Sequence, residues 1–128
     1  MKILGIGVDI IENNRIKHSI KNSNFLKRIY STKELRQSKL SKNKTNFFAK
    51  RFAAKEALAK AIGSGFRNNL NFADIEIIND KMGKPYYLEN NKIKNLIKKK
   101  FNVKNFECFL SISDEKKYST AFTIIQKI

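Results

Sequence analysis

Arg51-Phe52-Ala53-Ala54-Lys55-Glu56-Ala57-Leu58-Ala59-Lys60-Ala61-Ile62-Gly63-Ser64-Gly65 is the stretch on which the fold turns. Its alanine density favours a helix, and Gly63 or Gly65 can end one. From Asn46 onward, Phe48, Phe52, Lys55, Ala59 and Ile62 recur at three- and four-residue spacing, which predicts a helix over about 46–62. Phe52, Glu56 and Lys60 stand at successive four-residue steps and share one ridge; Arg51 and Lys55 form the ridge beside it. The helix thus offers a carboxylate flanked by cations, with a glycine-rich turn at its end. On spacing alone, Glu56 and Lys60 read as an i,i+4 ion pair. The Gly-x-Gly reads first as a helix terminator rather than a phosphate cradle.

Outward from that helix, Ile3-Leu4-Gly5-Ile6-Gly7-Val8-Asp9-Ile10-Ile11 reads as a buried strand over about 2–11. Asp9 sits among Val and Ile, a costly place for a carboxylate unless a positive group meets it. Two readings stay open for it: a capping box with Glu12 for the helix that starts at Asn13 or Asn14 and runs to about Lys21, or a functional acid at a strand end. Ser31-Thr32-Lys33-Glu34 is a capping-box pattern opening a short helix, and residues 39–45 are a polar loop, expected to be mobile. Phe72 to Ile78 alternates as a strand, Asp80-Lys81-Met82-Gly83 is a turn, and Pro85 to Leu88 is extended. Asn91 to Lys100 is a helix with Ile93, Leu96 and Ile97 inward. Phe106–Ser113 and Tyr118–Ile125 form a hairpin through 114–117. Strands and helices mix without βαβ alternation, so the fold class is α+β with a mainly antiparallel sheet.

Composition narrows the function. At 128 residues the chain is expected to be one domain over 1–128 with a substantial core. A formal charge of +16 favours a polyanionic partner: nucleic acid, an anionic membrane, a phosphate-rich cofactor or an acidic protein. No apolar run approaches the roughly 20 residues of a membrane span, and the apolar stretch at the N-terminus is too short for a secretory signal, so the expected compartment is the cytoplasm. One cysteine, Cys108, and one histidine, His18, exclude an internal disulfide framework and a zinc-type ligand cluster. His18 reads as solvent-exposed, Cys108 as a core or sheet residue, and Lys98-Lys99-Lys100 as a solvated helix end suited to the helix dipole. The phenylalanines read mainly as packing.

Two acids from distant segments beside basic side chains suit Mg²⁺, which takes one or two protein carboxylates and completes its shell with water and substrate phosphates. Lysine and arginine would hold the phosphate oxygens that the metal leaves.

Four segments now carry a resemblance. Gly5-Ile6-Gly7-Val8-Asp9-Ile10 with Arg15-Ile16, the stretch 51–65, Gly83-Lys84-Pro85, and Leu110-Ser111-Ile112-Ser113-Asp114 resemble, in order and spacing, the motifs of the holo-acyl-carrier-protein synthases. These are 4′-phosphopantetheinyl transferases, and the likeness runs from about residue 3 to residue 125. The resemblance implies their fold, a bent antiparallel sheet packed against a long helix. It implies transfer of phosphopantetheine from coenzyme A to a serine of apo-acyl carrier protein, releasing adenosine 3′,5′-bisphosphate, in support of fatty acid biosynthesis. It implies Mg²⁺ on Asp9 and Glu56, with Asp9, Glu56 and Lys60 as the catalytic set. Lys60, Arg51, Gly63, Ser64 and Gly65 would bind the nucleotide and its phosphates, and Lys84 and Pro85 would line the adenine side. Arg15, Lys21 and Arg28 fall where the family docks its acidic carrier protein. A homotrimer with sites between neighbouring subunits follows from the same likeness, with neither nucleic acid nor membrane as a partner. Two positions depart from the pattern: threonine is commoner where this chain has Ser64, and many members carry histidine where it has Asp114. The rival class is a small basic RNA-binding module, supported by charge and aromatic content but lacking the aromatic RRM motif, the KH Gly-x-x-Gly clamp and an arginine-rich tract.

Overall fold

A stripe of small side chains, Ala49, Ala53, Ala57 and Ala61, runs along the helix Lys44–Ile62, and all four are buried. The first strand, Lys2–Glu12, lies directly on that stripe. A Cβ built on Gly7 would stand 1.9 Å from the carbonyl oxygen of Ala57, and one on Gly5 1.9 Å from that of Ala61. The close approach therefore requires glycine at both positions. The computed structural model describes residues 2–67 and 69–128.

In chain order the elements are β1 (Lys2–Glu12), α1 (Asn13–Ser19), α2 (Ser23–Ile29), α3 (Thr32–Ser38), α4 (Lys44–Ile62), a 3₁₀ turn (Phe72–Asp74), β2 (Ile77–Asn79), β3 (Pro85–Tyr87), α5 (Asn91–Phe101), β4 (Phe106–Asp114) and β5 (Tyr118–Lys127). β5 is the centre of a three-stranded sheet in the order β1-β5-β4, and β2 pairs with β3 apart from it. Every pairing is antiparallel. The alternation of β1 sends Gly7, Asp9 and Ile11 toward α4 and leaves Ile6, Val8 and Ile10 on the other face at 59%, 55% and 63% exposure. Phe109 and Phe122 also stand exposed on the sheet strands β4 and β5. The sheet thus packs α4 with one face and presents an uncovered apolar face with the other.

Several expectations hold. Ser31 and Glu34 form a reciprocal capping box at α3. Gly63 ends α4 in the left-handed conformation, at φ +89°. Asp80 closes the turn before β3 by accepting from the backbone N–H groups of Met82 and Lys84. Ile93 and Ile97 are buried beneath α5, and His18 is exposed. Cys108 is half-buried, and burial pushes its thiol up to about 12, which leaves it an inert packing group.

Three readings need correction, and one helix was missed. Phe72 to Ile78 is not one strand: Asn71 and Asp74 cap a 3₁₀ turn, and Phe72 stacks on Phe66 and Phe52, so the strand begins only at Ile77. Ring stacking and the local cap override the alternation. α2 has no strong apolar period and was not anticipated; Asn22 starts it by accepting from the N–H groups of Asn24 and Phe25. Residues 44–45 belong to α4 rather than to the preceding loop, because Asn43 caps that helix through Asn46 N–H. Asp9 caps nothing: it lies inside β1, and α1 follows Glu12 with no side-chain cap.

Candidate active site

Asp9 reaches α4 because β1 turns alternate residues toward that helix and the glycines on the same face let it approach. Lys60 Nζ donates to Asp9 Oδ1 at 3.0 Å and to the carbonyl oxygen of Val8 at 3.0 Å. The ion pair joins a largely covered acid to a half-exposed base, with side-chain exposures of 14% for Asp9 and 53% for Lys60. Lys60 therefore pairs across elements, not with Glu56 one turn back as spacing alone suggested. Among the described residues, Glu56 forms no ion pair. Burial first, then the neighbouring Asp9 charge, hold its carboxyl above the usual carboxylate range, while Lys60 offsets part of the rise. The charges of Asp9 and Lys60 thus both reach Glu56.

The ridge expected to flank Glu56 with cations does something else. Lys55 is fully buried and paired with Glu34 at 2.7 Å. Arg51 is also buried, with Nη1 donating to the carbonyl oxygen of Phe47 at 3.4 Å and the guanidinium 3.6 Å above the Phe47 ring. Its Nε has no hydrogen-bond partner among the described residues. Burial lowers its pKa, although the Glu34 charge works the other way. Arg51 lines a cavity of about 340 Å³ together with Gln37, Lys50 and Asn79. Pro85 stands opposite Asn79 in the β2–β3 register, so Lys84 and Pro85 belong to the same side of α4 as this cavity. Arg51 and Glu56 are five residues apart, about 140° around a helix, which separates the two groups.

The remaining candidates are distributed around these groups. Gly63, Ser64 and Gly65 form the turn that leaves α4, and the Ser64 hydroxyl oxygen is covered and without a partner among the described residues. Lys84 is exposed, with its backbone tied to Asp80. Arg15 on α1, Lys21 in the turn that follows, and Arg28 on α2 are all exposed. Asp114 ends β4 and accepts from Asn46 Nδ2. No group of three or more His, Cys, Asp or Glu side chains gathers among the described residues. Asp9 and Glu56 nevertheless suit a hard divalent ion: two mutually repelling carboxylates gain from a cation, and Mg²⁺ needs only one or two protein ligands.

Sequence reasoning missed the Glu34–Lys55 pair. A signal was available, since Lys55 occupies a position in the apolar ridge Phe48, Phe52, Ala59 and Ile62, where a charge requires a buried partner.

The 4′-phosphopantetheinyl transferase superfamily matches this chain over residues 5–123. A holo-[acyl-carrier-protein] synthase of Pelagibacter ubique is 61% identical over 127 residues, covering 99% of each chain. The chain belongs to this family of transferases. Among solved structures, the holo-[acyl-carrier-protein] synthase of Neisseria meningitidis superposes with a TM-score of 0.87 at 35% identity, over 98% of this chain and 100% of that one. The corresponding synthase of Bacillus anthracis, solved in complex with coenzyme A (3′,5′-ADP), gives a TM-score of 0.81 at 36% identity over 98% of each chain. The α+β architecture is the one these synthases share, and the chain is an enzyme of the phosphopantetheinyl transferase class.

Proposed function

We propose that this protein transfers 4′-phosphopantetheine from coenzyme A to a serine of apo-acyl carrier protein, releasing adenosine 3′,5′-bisphosphate, in support of fatty acid biosynthesis in the cytoplasm. The observation that carries the reading is the Lys60–Asp9 pair at 3.0 Å, four residues along α4 from Glu56, in a chain with a 61% identical synthase as a relative. The whole chain acts as one domain.

The nucleophile belongs to the carrier protein, so the enzyme needs no activated serine or cysteine of its own. The carrier serine oxygen forms a bond to the β-phosphorus of the diphosphate, and the bond from that phosphorus to the bridging oxygen breaks. The bridging oxygen leaves on adenosine 3′,5′-bisphosphate. Glu56 takes the serine proton directly or through a water. Lys60, held by Asp9 at the site, stabilises charge on the diphosphate oxygens. Asp9 and Glu56 would hold Mg²⁺, which when bound neutralises phosphate charge as a Lewis acid.

The nucleotide half is assigned to Arg51, Gly63, Ser64, Gly65, Lys84 and Pro85. Arg51 lines a cavity, its Nε lacks a partner among the described residues, and Lys84–Pro85 stand on its side of α4. Because Asp9, Glu56 and Lys60 occupy another side of the helix, one active site is assembled from two subunits. The uncovered apolar face of Ile6, Val8, Ile10 and Phe122 supplies a surface for that association, and a homotrimer is the assembly we assign. Arg15, Lys21 and Arg28 are assigned to docking the acidic carrier protein, consistent with their exposure and the net charge of +16.

The test is incubation of the protein with apo-acyl carrier protein, coenzyme A and Mg²⁺, followed by intact mass measurement of the carrier. Gain of one phosphopantetheine supports the assignment; an unmodified carrier, with folded enzyme present, refutes it.

A further inference from the structure

The buried pair Glu34–Lys55 lies outside the catalytic set, yet it joins three separate segments. Both side chains have 0% exposure and meet at 2.7 Å. Lys55 Nζ also donates to the carbonyl oxygens of Phe72, at 3.0 Å, and Ile75. Glu34 accepts from Ser31 N–H through Oε1 at 3.0 Å and from Ile77 N–H through Oε2 at 3.1 Å. Ser31 in turn donates from its hydroxyl to Glu76 at 2.8 Å. One carboxylate and one ammonium thus tie the start of α3, the middle of α4 and the first residue of β2.

Each tied segment supplies a wall of the cavity around Arg51. Gln37 follows Glu34 by three residues, about one turn of α3; Arg51 precedes Lys55 by one turn of α4; Asn79 follows Ile77 by two residues, on the same side of the strand. β2 continues through the turn at Asp80 to Lys84 and Pro85. A buried ion pair is weak evidence for stability, because desolvation offsets the attraction; its geometric specificity is the better-attested use.

We propose that Glu34 and Lys55 are positioning residues for nucleotide recognition: they set α3, α4 and β2 so that Gln37, Arg51 and Asn79 face one another around one cavity. The inference rests on the assignment of that cavity to the nucleotide of coenzyme A. Neither residue touches substrate, so their loss loosens the cavity and leaves the Asp9–Glu56–Lys60 group in place.

The test pairs Glu34→Gln with Lys55→Met, which removes both charges while keeping similar shapes. The expected result, with carrier protein and Mg²⁺ held constant, is a rise of about tenfold or more in the KM for coenzyme A, kcat within about threefold, and a KM for carrier protein within about twofold. Affinity for 3′,5′-ADP, read by calorimetry, should fall in parallel. A pair that serves stability alone would lower the active fraction, reducing apparent kcat with KM unchanged; that outcome, or equal rises in both KM values, overturns the proposal. Should the double variant fail to fold, hydrogen exchange in the wild-type protein decides. By linkage, saturating 3′,5′-ADP must suppress local opening at the Ser31 and Ile77 amides if opening there impairs the cavity. Unchanged local exchange at both amides overturns the inference. A folded wild-type protein that neither binds 3′,5′-ADP nor modifies carrier protein defeats the functional assignment itself, and this inference falls with it.

Discussion

Lys60 and Asp9 form a bridge between α4 and β1 that leaves Glu56 without an ionic partner among the described residues: Nζ and Oδ1 are 3.0 Å apart. Half of the Lys60 side chain is exposed, so the pair contributes only about 0–1 kcal/mol to stability. The same ammonium stands beside the acids assigned to the metal. Lys60→Ala should therefore lower transfer by about 100-fold or more while changing unfolding free energy by no more than about 1 kcal/mol. Carrier-protein mass kinetics and urea unfolding on the same preparation check the contrast.

Gly7 is the second point of leverage. A methyl group there would stand 1.9 Å from the Ala57 carbonyl oxygen and 2.7 Å from Ala61 N, both rigid helix backbone. Gly7→Ala should force β1 away from α4, costing roughly 1–3 kcal/mol or more, and displace Asp9 two residues on. A drop in thermal midpoint accompanied by loss of transfer is expected; a variant with wild-type melting and wild-type rate would contradict the close packing.

Subunit sharing is tested by mixing. Glu56→Gln damages the metal half and Arg51→Met the nucleotide half, so each variant alone should be inactive. Co-refolded, they should recover part of the wild-type rate, because some clefts then combine two intact halves. No recovery from confirmed mixed oligomers would place both halves in one subunit. Phe122→Glu, on the exposed apolar face, should shift the assembly toward monomer in analytical ultracentrifugation and lose activity with it.

Charge on α1 is assigned to the carrier protein, not to the nucleotide. Arg15→Glu should raise the KM for carrier protein by about tenfold with the KM for coenzyme A nearly unchanged, and should flatten the salt dependence of the reaction. Steady-state kinetics at two ionic strengths, with each substrate varied in turn, measure both effects.

How much of this could be read in the residues differs by region. α4 was legible from its alanine density and the spacing of Phe48, Phe52, Ala59 and Ile62; β1 was legible as an Ile/Val-rich, glycine-punctuated strand, although it was expected to be buried and one of its faces is exposed. The hairpin of β4 and β5 was legible as two extended runs joined through 114–117. The 72–78 segment misled because an alternating pattern cannot show that Phe72 will stack on Phe66 and Phe52. The site was half legible. Asp9, Glu56 and Lys60 stand out by motif, but the partner of Lys60 depends on β1 lying against α4, a contact between residues far apart in sequence. Arg51 and Lys55 carry the same charge as Lys60, and only the helical angle together with the position of Glu34 reveals that both turn into the core.

The charge state of Glu56 ties the site to stability. Its folded pKa is raised, so the protonated form is favoured in the fold: the stabilisation is complete below the unfolded carboxylate pKa and is lost as pH rises through the folded value. Ionised Glu56 is then a burden on the metal-free protein at neutral pH. Glu56→Gln should melt at or above the wild-type temperature there, and the difference should vanish in acid.

The most direct measurement is intact mass of apo-acyl carrier protein after reaction with coenzyme A, for wild type and Glu56→Gln, with Mg²⁺ and with a chelator. The account predicts one phosphopantetheine added by wild type with Mg²⁺ alone, and none by a fully folded Glu56→Gln. Transfer by that variant at the wild-type rate, or by wild type without any divalent ion, would contradict it.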